Sequence, residues 1–216
     1  ARGASDFSQL SVNGTHTGVA GYALMSNGTG AAYTAEQVDA AHGRSLKLHS
    51  DGNIDFGYNQ ALNITFPAME QGGIFVTELE VRFTNRNMGL SFAGYGEKAD
   101  GTYVWNTAFS LTDGSFTAGG QYIENEWYKI KLVYHLDDGY FDAYVNGIRL
   151  AAYEYFSNGV EDFQRFTRMK IQYSSGDALE AGDIFIDNVR FARIVLPEWT
   201  GTVQNALITT DSGAVT

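Results

Sequence analysis

The chain has 216 residues, of which 44% are hydrophobic and 18% are charged, so it contains enough apolar material for a folded core. Fourteen basic residues against 25 acidic residues leave a formal net charge of −11, which disfavours nucleic acid and anionic membranes as partners. No apolar run approaches the roughly 18 residues of a transmembrane helix, so membrane insertion is not expected. The absence of cysteine excludes disulfides, thiolate metal sites and cysteine nucleophiles.

Short alternating runs separated by turn dipeptides occupy most of the chain. The composition suits strands, since there are 13 Tyr and 14 Phe, while 25 Gly supply positions for tight turns. Runs 74–84 and 128–136 alternate most clearly, with apolar residues on one face and polar residues on the other. Further strands are predicted at 45–49, 54–58, 62–66, 89–93, 102–111, 140–145, 148–150, 168–173 and 183–194. Only 35–41 and 160–166 have helical character, and each is too short to be a stable helix alone.

The segment 127–150 predicts a β-meander, because turn signals separate three consecutive alternating runs. Its second turn, Asn146-Gly147, is typical of type I′. We expect this meander to form central strands, and 183–195 to close a sheet beside the N-terminal segment. The predicted architecture is therefore all-β: one antiparallel two-sheet sandwich over residues 1–195, followed by a linker or strap over 196–216.

Three segments together resemble the jelly-roll sandwich of carbohydrate-binding modules and of concanavalin A-like lectins and glucanases. They are HGRSLKL at 42–48, EWYKIKL at 126–132 with its continuation FDAYVNG at 141–147, and IFIDNVRF at 184–191. The resemblance implies a jelly-roll fold and a link to carbohydrates. Within it, Trp127 is expected to be a structural core residue at the edge of the sandwich.

The resemblance also implies a structural calcium ion. Asp187 lies where the closing strand of such modules bears a ligating carboxylate, and Asp6 lies where a second one precedes the first strand. Calcium takes about 6–8 oxygen ligands, so carbonyls, amides or water would supply the others. The alternative is that Asp187-Asn188 forms a simple bulge.

Sugar recognition needs aromatic faces for stacking and planar polar side chains for the hydroxyl groups. Three aromatic candidates flank the 96–101 loop: Tyr95, Tyr103 and Trp105. Burial is the alternative for Trp105, because strict alternation places it on the same face as Phe109. Residues predicted to project from the sheet opposite their core-facing neighbours complete the set: Arg82, Lys131, His135, Tyr144 and Gln172.

Catalysis is the alternative to binding. The E-x-D-x-x-E strand of jelly-roll glucanases is absent, and its nearest equivalent is Glu78 and Glu80, about 7 Å apart on one strand face. Lyases of this fold use Arg, Gln, His and Tyr, which would make His135 and Tyr144 the base and acid. The lyase signatures Q-x-H and Y-x-K-x-G-x-Y are nevertheless missing.

The preferred interpretation is a secreted, non-catalytic carbohydrate-binding module of a bacterial multimodular protein. Its partners would be a polysaccharide or oligosaccharide and the other modules of the same polypeptide. The alternative is a glycan-active enzyme of the same fold, either a polysaccharide lyase or a glycoside hydrolase. A third possibility is an adhesin or spacer domain without a glycan site. Neutral glucans, xylans and acidic uronates all remain open as ligands.

Overall fold

The alternating runs of the sequence form strands in a computed structural model. It describes residues 2–5, 22–26, 31–51, 60–65, 73–97, 100, 103–112, 114–116, 119–155, 165–175, 181–194, 208–210 and 213–215. In chain order the strands are β1 (Arg2–Ser5), β2 (Tyr22–Ser26), β3 (Ala31–Asp39), β4 (Gly43–Asp51), β5 (Gln60–Thr65), β6 (Ile74–Phe83), β7 (Met88–Glu97), β8 (Tyr103–Thr112), β9 (Ser115–Phe116), β10 (Trp127–His135), β11 (Tyr140–Val145), β12 (Ile148–Tyr155), β13 (Arg165–Ser175), β14 (Ala181–Ile194), β15 (Ile208–Thr210) and β16 (Gly213–Val215). These ranges contain no helix, and hence none that could cross a membrane.

The strands form two main antiparallel sheets. The eight-stranded sheet has the order β12-β11-β10-β6-β14-β4-β3, and β1 pairs with the second half of β14. The six-stranded sheet has the order β2-β5-β13-β7-β8-β9, while β15 and β16 pair with each other. The predicted all-β, two-sheet antiparallel sandwich is confirmed. Among the described strands, β10 and β11 are interior strands of this sheet and β12 is its edge strand. The expectation that the meander is central is therefore confirmed for β10 and β11 and wrong for β12.

The core lies between the two sheets and comes from one face of each strand. Along β6, buried and half-buried residues alternate without interruption, as expected for a strand with one face on a core. Phe75, Leu79 and Phe83 of β6 belong to the same apolar cluster as Phe92 of β7 and Ile171 of β13. The polar residues between them therefore lie on the outer faces of the sandwich, where a ligand could reach them.

The expected helical character of 35–41 is wrong, because 35–39 belongs to β3. Ala35 pairs with Leu46 of β4 in the β3–β4 ladder. The hydrogen bonds of this ladder favour the strand, because a helix of about two turns is not stable on its own in water. Of the second stretch, 165 and 166 begin β13, and the rest lies outside the described residues, as does the predicted strand 54–58.

The β11–β12 turn has the predicted type I′ conformation, since Asn146 has φ 50° and Gly147 has φ 81°. A Cβ at Gly147 would meet no atom within 4 Å, so only the backbone conformation opposes a side chain there. Gly147→Ala should therefore lower the free energy of unfolding by about 1 kcal/mol. Urea denaturation checks this, with Ile148→Ala as the control, because Ile148 is 67% exposed. Equal stability of Gly147→Ala and the parent chain would contradict it.

Candidate functional site

The predicted ligand-binding residues divide between the two outer faces of the sandwich. Arg82, Lys131, His135 and Tyr144 lie in β6, β10 and β11 of the eight-stranded sheet, whereas Tyr95, Tyr103, Trp105 and Gln172 lie in β7, β8 and β13 of the six-stranded sheet. The expectation that Gln172 projects from the same sheet as Arg82 is wrong. One small ligand could not touch both groups, because the core separates them.

On the six-stranded sheet, strand register gathers the second group on one face. Tyr95 pairs with Trp105, and Glu97 pairs with Tyr103 in the β7–β8 ladder. Gln172 pairs with Ser91, which alternates with the fully buried Leu90 and Phe92. Directly opposed residues share a sheet face, so positions 95, 103, 105 and 172 all belong to the outer face.

A β-bulge in β8 decides the face of position 105. Phe92 pairs with Phe109, but the next residue, Ala93, pairs with Thr107, so Ala108 is the extra residue. A bulge reverses the alternation beyond it. Position 105 therefore shares the face of Tyr95 and not that of Phe109, which removes the alternation argument for burial of Trp105.

On the eight-stranded sheet, Trp127 lies outside the core. It pairs with Arg82 on the outer face, and its ring stacks on His42 with the centroids 3.9 Å apart and the planes 12° apart. The indole nitrogen donates to Asp39 Oδ2 at 2.9 Å. Trp127 thus has a structural role, but between the sheet and the β3–β4 turn rather than between the two sheets.

His42 bridges two carboxylates beneath this tryptophan. Its Nδ1 is 2.9 Å from Asp39 Oδ1, and its Nε2 is 2.9 Å from Glu80 Oε2. Glu80 also accepts from Asn188 Nδ2 at 2.9 Å. Burial opposes ionisation of Asp39, but hydrogen bonds from the His42 backbone and ring and from Trp127 hold the pKa of Asp39 well below its usual value. We interpret this cluster as a structural tie across four strands.

Glu78 and Glu80 share the outer face of β6, as expected from strand alternation. Glu78 Oε1 is 2.8 Å from Lys129 Nζ, while Glu80 is hydrogen-bonded to His42 and Asn188. Both carboxylates therefore have protein partners on the outer face of the sheet. The pair gives no support to a glycosidase mechanism.

His135 and Tyr144 are too far apart to act as one base and acid pair. His135 pairs with Tyr140, and Tyr144 is four residues further along β11, which corresponds to about 13 Å. The His135 ring stacks on Tyr140 at 4.2 Å, and its Nε2 is 3.4 Å from Asp142 Oδ2. A shared reacting centre would need both groups within hydrogen-bond reach. The sequence-based lyase pair therefore has no geometric support.

Lys131 and Tyr144 do lie together. The Lys131 Nζ is 4.4 Å from the centre of the Tyr144 ring, a cation–π contact. Beside them the sheet surface holds a depression of about 330 Å³. Its lining consists of Glu78, Lys129, Lys131, Tyr144, Asn146 and Gly147. Sequence reasoning found Lys131 and Tyr144, but it did not show that Lys129 and Asn146 join them.

Asp187 lies at a bulge in β14. Asp187 pairs with Glu80 and Arg190 pairs with Glu78, so two β14 residues oppose Leu79, and Asn188 has φ 50°. The Asp187 side chain is buried. Ile186 pairs with Leu46 of the antiparallel strand β4, so Ser45, the residue before Leu46, lies next to Asp187. The buried Ser45 hydroxyl makes no hydrogen bond within the described residues. A buried carboxylate near such an oxygen suits a hard cation.

The described ranges contain no group of three or more His, Asp or Glu side chains placed to hold a metal. Asp6 lies outside the described residues. A cation at Asp187 would therefore also need hydroxyl, amide or carbonyl oxygens, or ligands from residues that the structure does not describe.

Comparison with solved structures shows the same fold in two other proteins. A sialidase superposes with a TM-score of 0.63 at 16% identity, covering 89% of this chain and 18% of the sialidase. A cellulose-induced protein, Cip1, superposes with a TM-score of 0.58 at 10% identity, covering 88% of this chain and 96% of that protein. No family model and no curated protein matches the sequence. The resemblance to the jelly-roll sandwich of carbohydrate-binding and glycan-active domains is thus confirmed at the level of fold.

Proposed function

We propose that this chain is a non-catalytic carbohydrate-binding module that binds a polysaccharide on the outer face of the six-stranded sheet. The observation that carries the proposal is the register that gathers Tyr95, Tyr103, Trp105 and Gln172 on that face. Aromatic side chains from adjacent strands would offer a platform on which the C–H faces of consecutive sugar rings can stack, and amides would bind the hydroxyl groups.

Binding is favoured over catalysis by the arrangement of the titratable groups. The two glutamates of β6 have protein partners, and His135 and Tyr144 lie in separate places on the other sheet. Catalysis of glycoside cleavage needs two groups at a fixed separation around one bond. Glu78 and Glu80 are about 7 Å apart on one strand face, but both are held by protein partners, whereas stacking needs only aromatic faces.

A glycan array of neutral glucans, xylans and uronate polymers tests the proposal. We expect retention of at least one polysaccharide class without any change in its chain length. Incubation with the uronate polymers is followed by ultraviolet absorbance for unsaturated products, which a lyase would release. Failure to bind any polysaccharide would contradict the proposal, and the appearance of unsaturated products would replace it with the lyase alternative.

We further propose that the module is secreted, bacterial and part of a larger polypeptide. The chain spans less than a fifth of the sialidase that shares its fold, which supports the idea of one module among several. A net charge of −11 suits a soluble domain that does not adhere to anionic surfaces. Mass spectrometry of the culture medium and cell fraction of the producing organism would test the location.

We also propose a structural calcium ion at Asp187, with the Ser45 hydroxyl and Asp6 as further ligands. Binding of the ion to the folded chain would stabilise it by mass action, by about 2.7 kcal/mol at a free concentration 100 times the dissociation constant. We therefore expect the thermal midpoint to fall when EDTA is added and to recover with excess calcium. Asp187→Asn should abolish that response. A midpoint that is unchanged by chelator would contradict the proposal.

A further inference from the structure

The depression beside Tyr144 lies on the opposite side of the sandwich from the proposed polysaccharide face. Its volume of about 330 Å³ falls within the usual size range of small-ligand sites, about 300–1,000 Å³. It is lined by residues of β6, β10, β11 and the β11–β12 turn.

The lining presents positively charged hydrogen-bond donors. Among the residues that line the depression, the charged ones are Lys129, Lys131 and Glu78. Glu78 forms an ion pair with Lys129 at 2.8 Å and is the strand partner of Lys131. Two lysines against one carboxylate leave the lining with one positive charge in excess. Asn146 accepts from the backbone nitrogen of Lys129 through its Oδ1, which directs the amide NH₂ to other acceptors. In a chain with net charge −11, such a local excess of positive charge selects an anion.

Tyr144 holds the ammonium group of Lys131 in place. The Nζ lies 4.4 Å from the ring centre, and a cation–π contact restricts an otherwise flexible side chain. A pre-ordered ammonium loses less conformational freedom when it binds a ligand. The tyrosine therefore acts as a positioning residue, and the lysine contacts the ligand.

We propose that this depression is a second binding site, specific for a carboxylated sugar, in which Lys131 binds the carboxylate and Asn146 binds a hydroxyl group. The choice of a sugar among anions rests on the proposed function. The site itself rests on the excess charge and the arrangement of donors, and it needs nothing from the six-stranded sheet.

Isothermal titration calorimetry with trigalacturonate and its uncharged methyl ester tests the site on the intact chain. We expect the acid to bind about tenfold more tightly than the ester, a difference of about 1.4 kcal/mol, since a hydrogen bond between two charged groups is stronger than one to a neutral group. The preference should weaken as sodium chloride screens the ammonium group. Equal affinities for acid and ester, or no binding of either, would overturn the inference.

Three variants separate this site from the polysaccharide face. Lys131→Gln should lose the tenfold preference, whereas Lys47→Gln, the same change on another strand of this sheet, should keep it. Trp105→Ala should also keep it, because position 105 belongs to the other sheet. If Trp105→Ala abolishes uronate binding and Lys131→Gln does not, the second site is wrong and the proposed function stands. Circular dichroism and the thermal midpoint confirm that each variant is folded.

Discussion

Replacement of Asp39 by alanine should lower the free energy of unfolding by about 3 kcal/mol. Asp39 accepts from the backbone nitrogens of Ala41 and His42 at 2.9 and 2.8 Å, and from the Trp127 indole at 2.9 Å. Each hydrogen bond to a charged group contributes about 1.5–3 kcal/mol when it is well buried. The Asp39 side chain is 35% exposed, so water can hydrogen-bond to some of the groups that lose Asp39 as a partner. The expected destabilisation is therefore smaller than the sum of the three hydrogen bonds. Urea denaturation at pH 7 measures the difference.

The charge of Asp39 adds a pH dependence with a definite sign. Its folded-state pKa lies below the unfolded value of about 3.9. The stabilisation that the ionised Asp39 gives to the folded state is therefore fully present above the unfolded-state pKa. It is lost as the pH falls from the unfolded-state pKa towards the folded-state pKa. The stability gap between the parent chain and Asp39→Asn should narrow from pH 7 to pH 3.

Asp138→Ala is the matched control, since it removes an aspartate from another turn, where Asp138 is exposed. It should change stability by less than about 0.5 kcal/mol. If Asp39→Ala were no more destabilising than this control, the cluster of Asp39, His42 and Trp127 would not be a structural tie.

The fold could be predicted where alternation is strong. In β6, Phe75, Leu79 and Phe83 face the core because apolar residues recur at every second position. The sequence does not predict strand β3, because AAYTAEQVD has no such pattern. Among the described strands it lies at the edge of its sheet and pairs with β4, so hydrogen bonding to that strand rather than its own sequence pattern determines it.

Alternation also predicts outer-face positions for Arg82, Lys131, His135, Tyr144 and Gln172, but it does not show which sheet each strand joins. Gln172 was grouped with Arg82 because both alternate with core residues, yet β13 pairs with β5 and β7. The bulge at Ala108 has no clear signal in YVWNTAFSLT, and it changes the face of position 105. The link between His42 and Glu80, 38 residues apart in sequence, depends on the β3–β4 turn. These features depend on how distant strands pair in the folded sheets, which the local sequence pattern does not specify.

Trp105→Ala should weaken polysaccharide binding by about 1–3 kcal/mol, the scale of an apolar side chain that is no longer buried. This corresponds to roughly 5-fold to 150-fold in the dissociation constant. His135→Ala should leave the affinity unchanged, because His135 lies in the other sheet and stacking requires no proton transfer. Calorimetric titration with the polysaccharide that the array identifies measures both variants.

The opposite order would be expected of a lyase. Loss of His135 would then lower the rate by about 10²–10⁴ while the affinity is kept. Trp105→Tyr is the matched control for stacking, since it retains an aromatic face and should preserve most of the affinity. Thermal unfolding must show that Trp105→Ala is folded, because loss of a buried tryptophan costs about 3–5 kcal/mol. A folded Trp105→Ala variant with unchanged affinity would exclude position 105 from the platform and transfer the stacking role to Tyr95 and Tyr103.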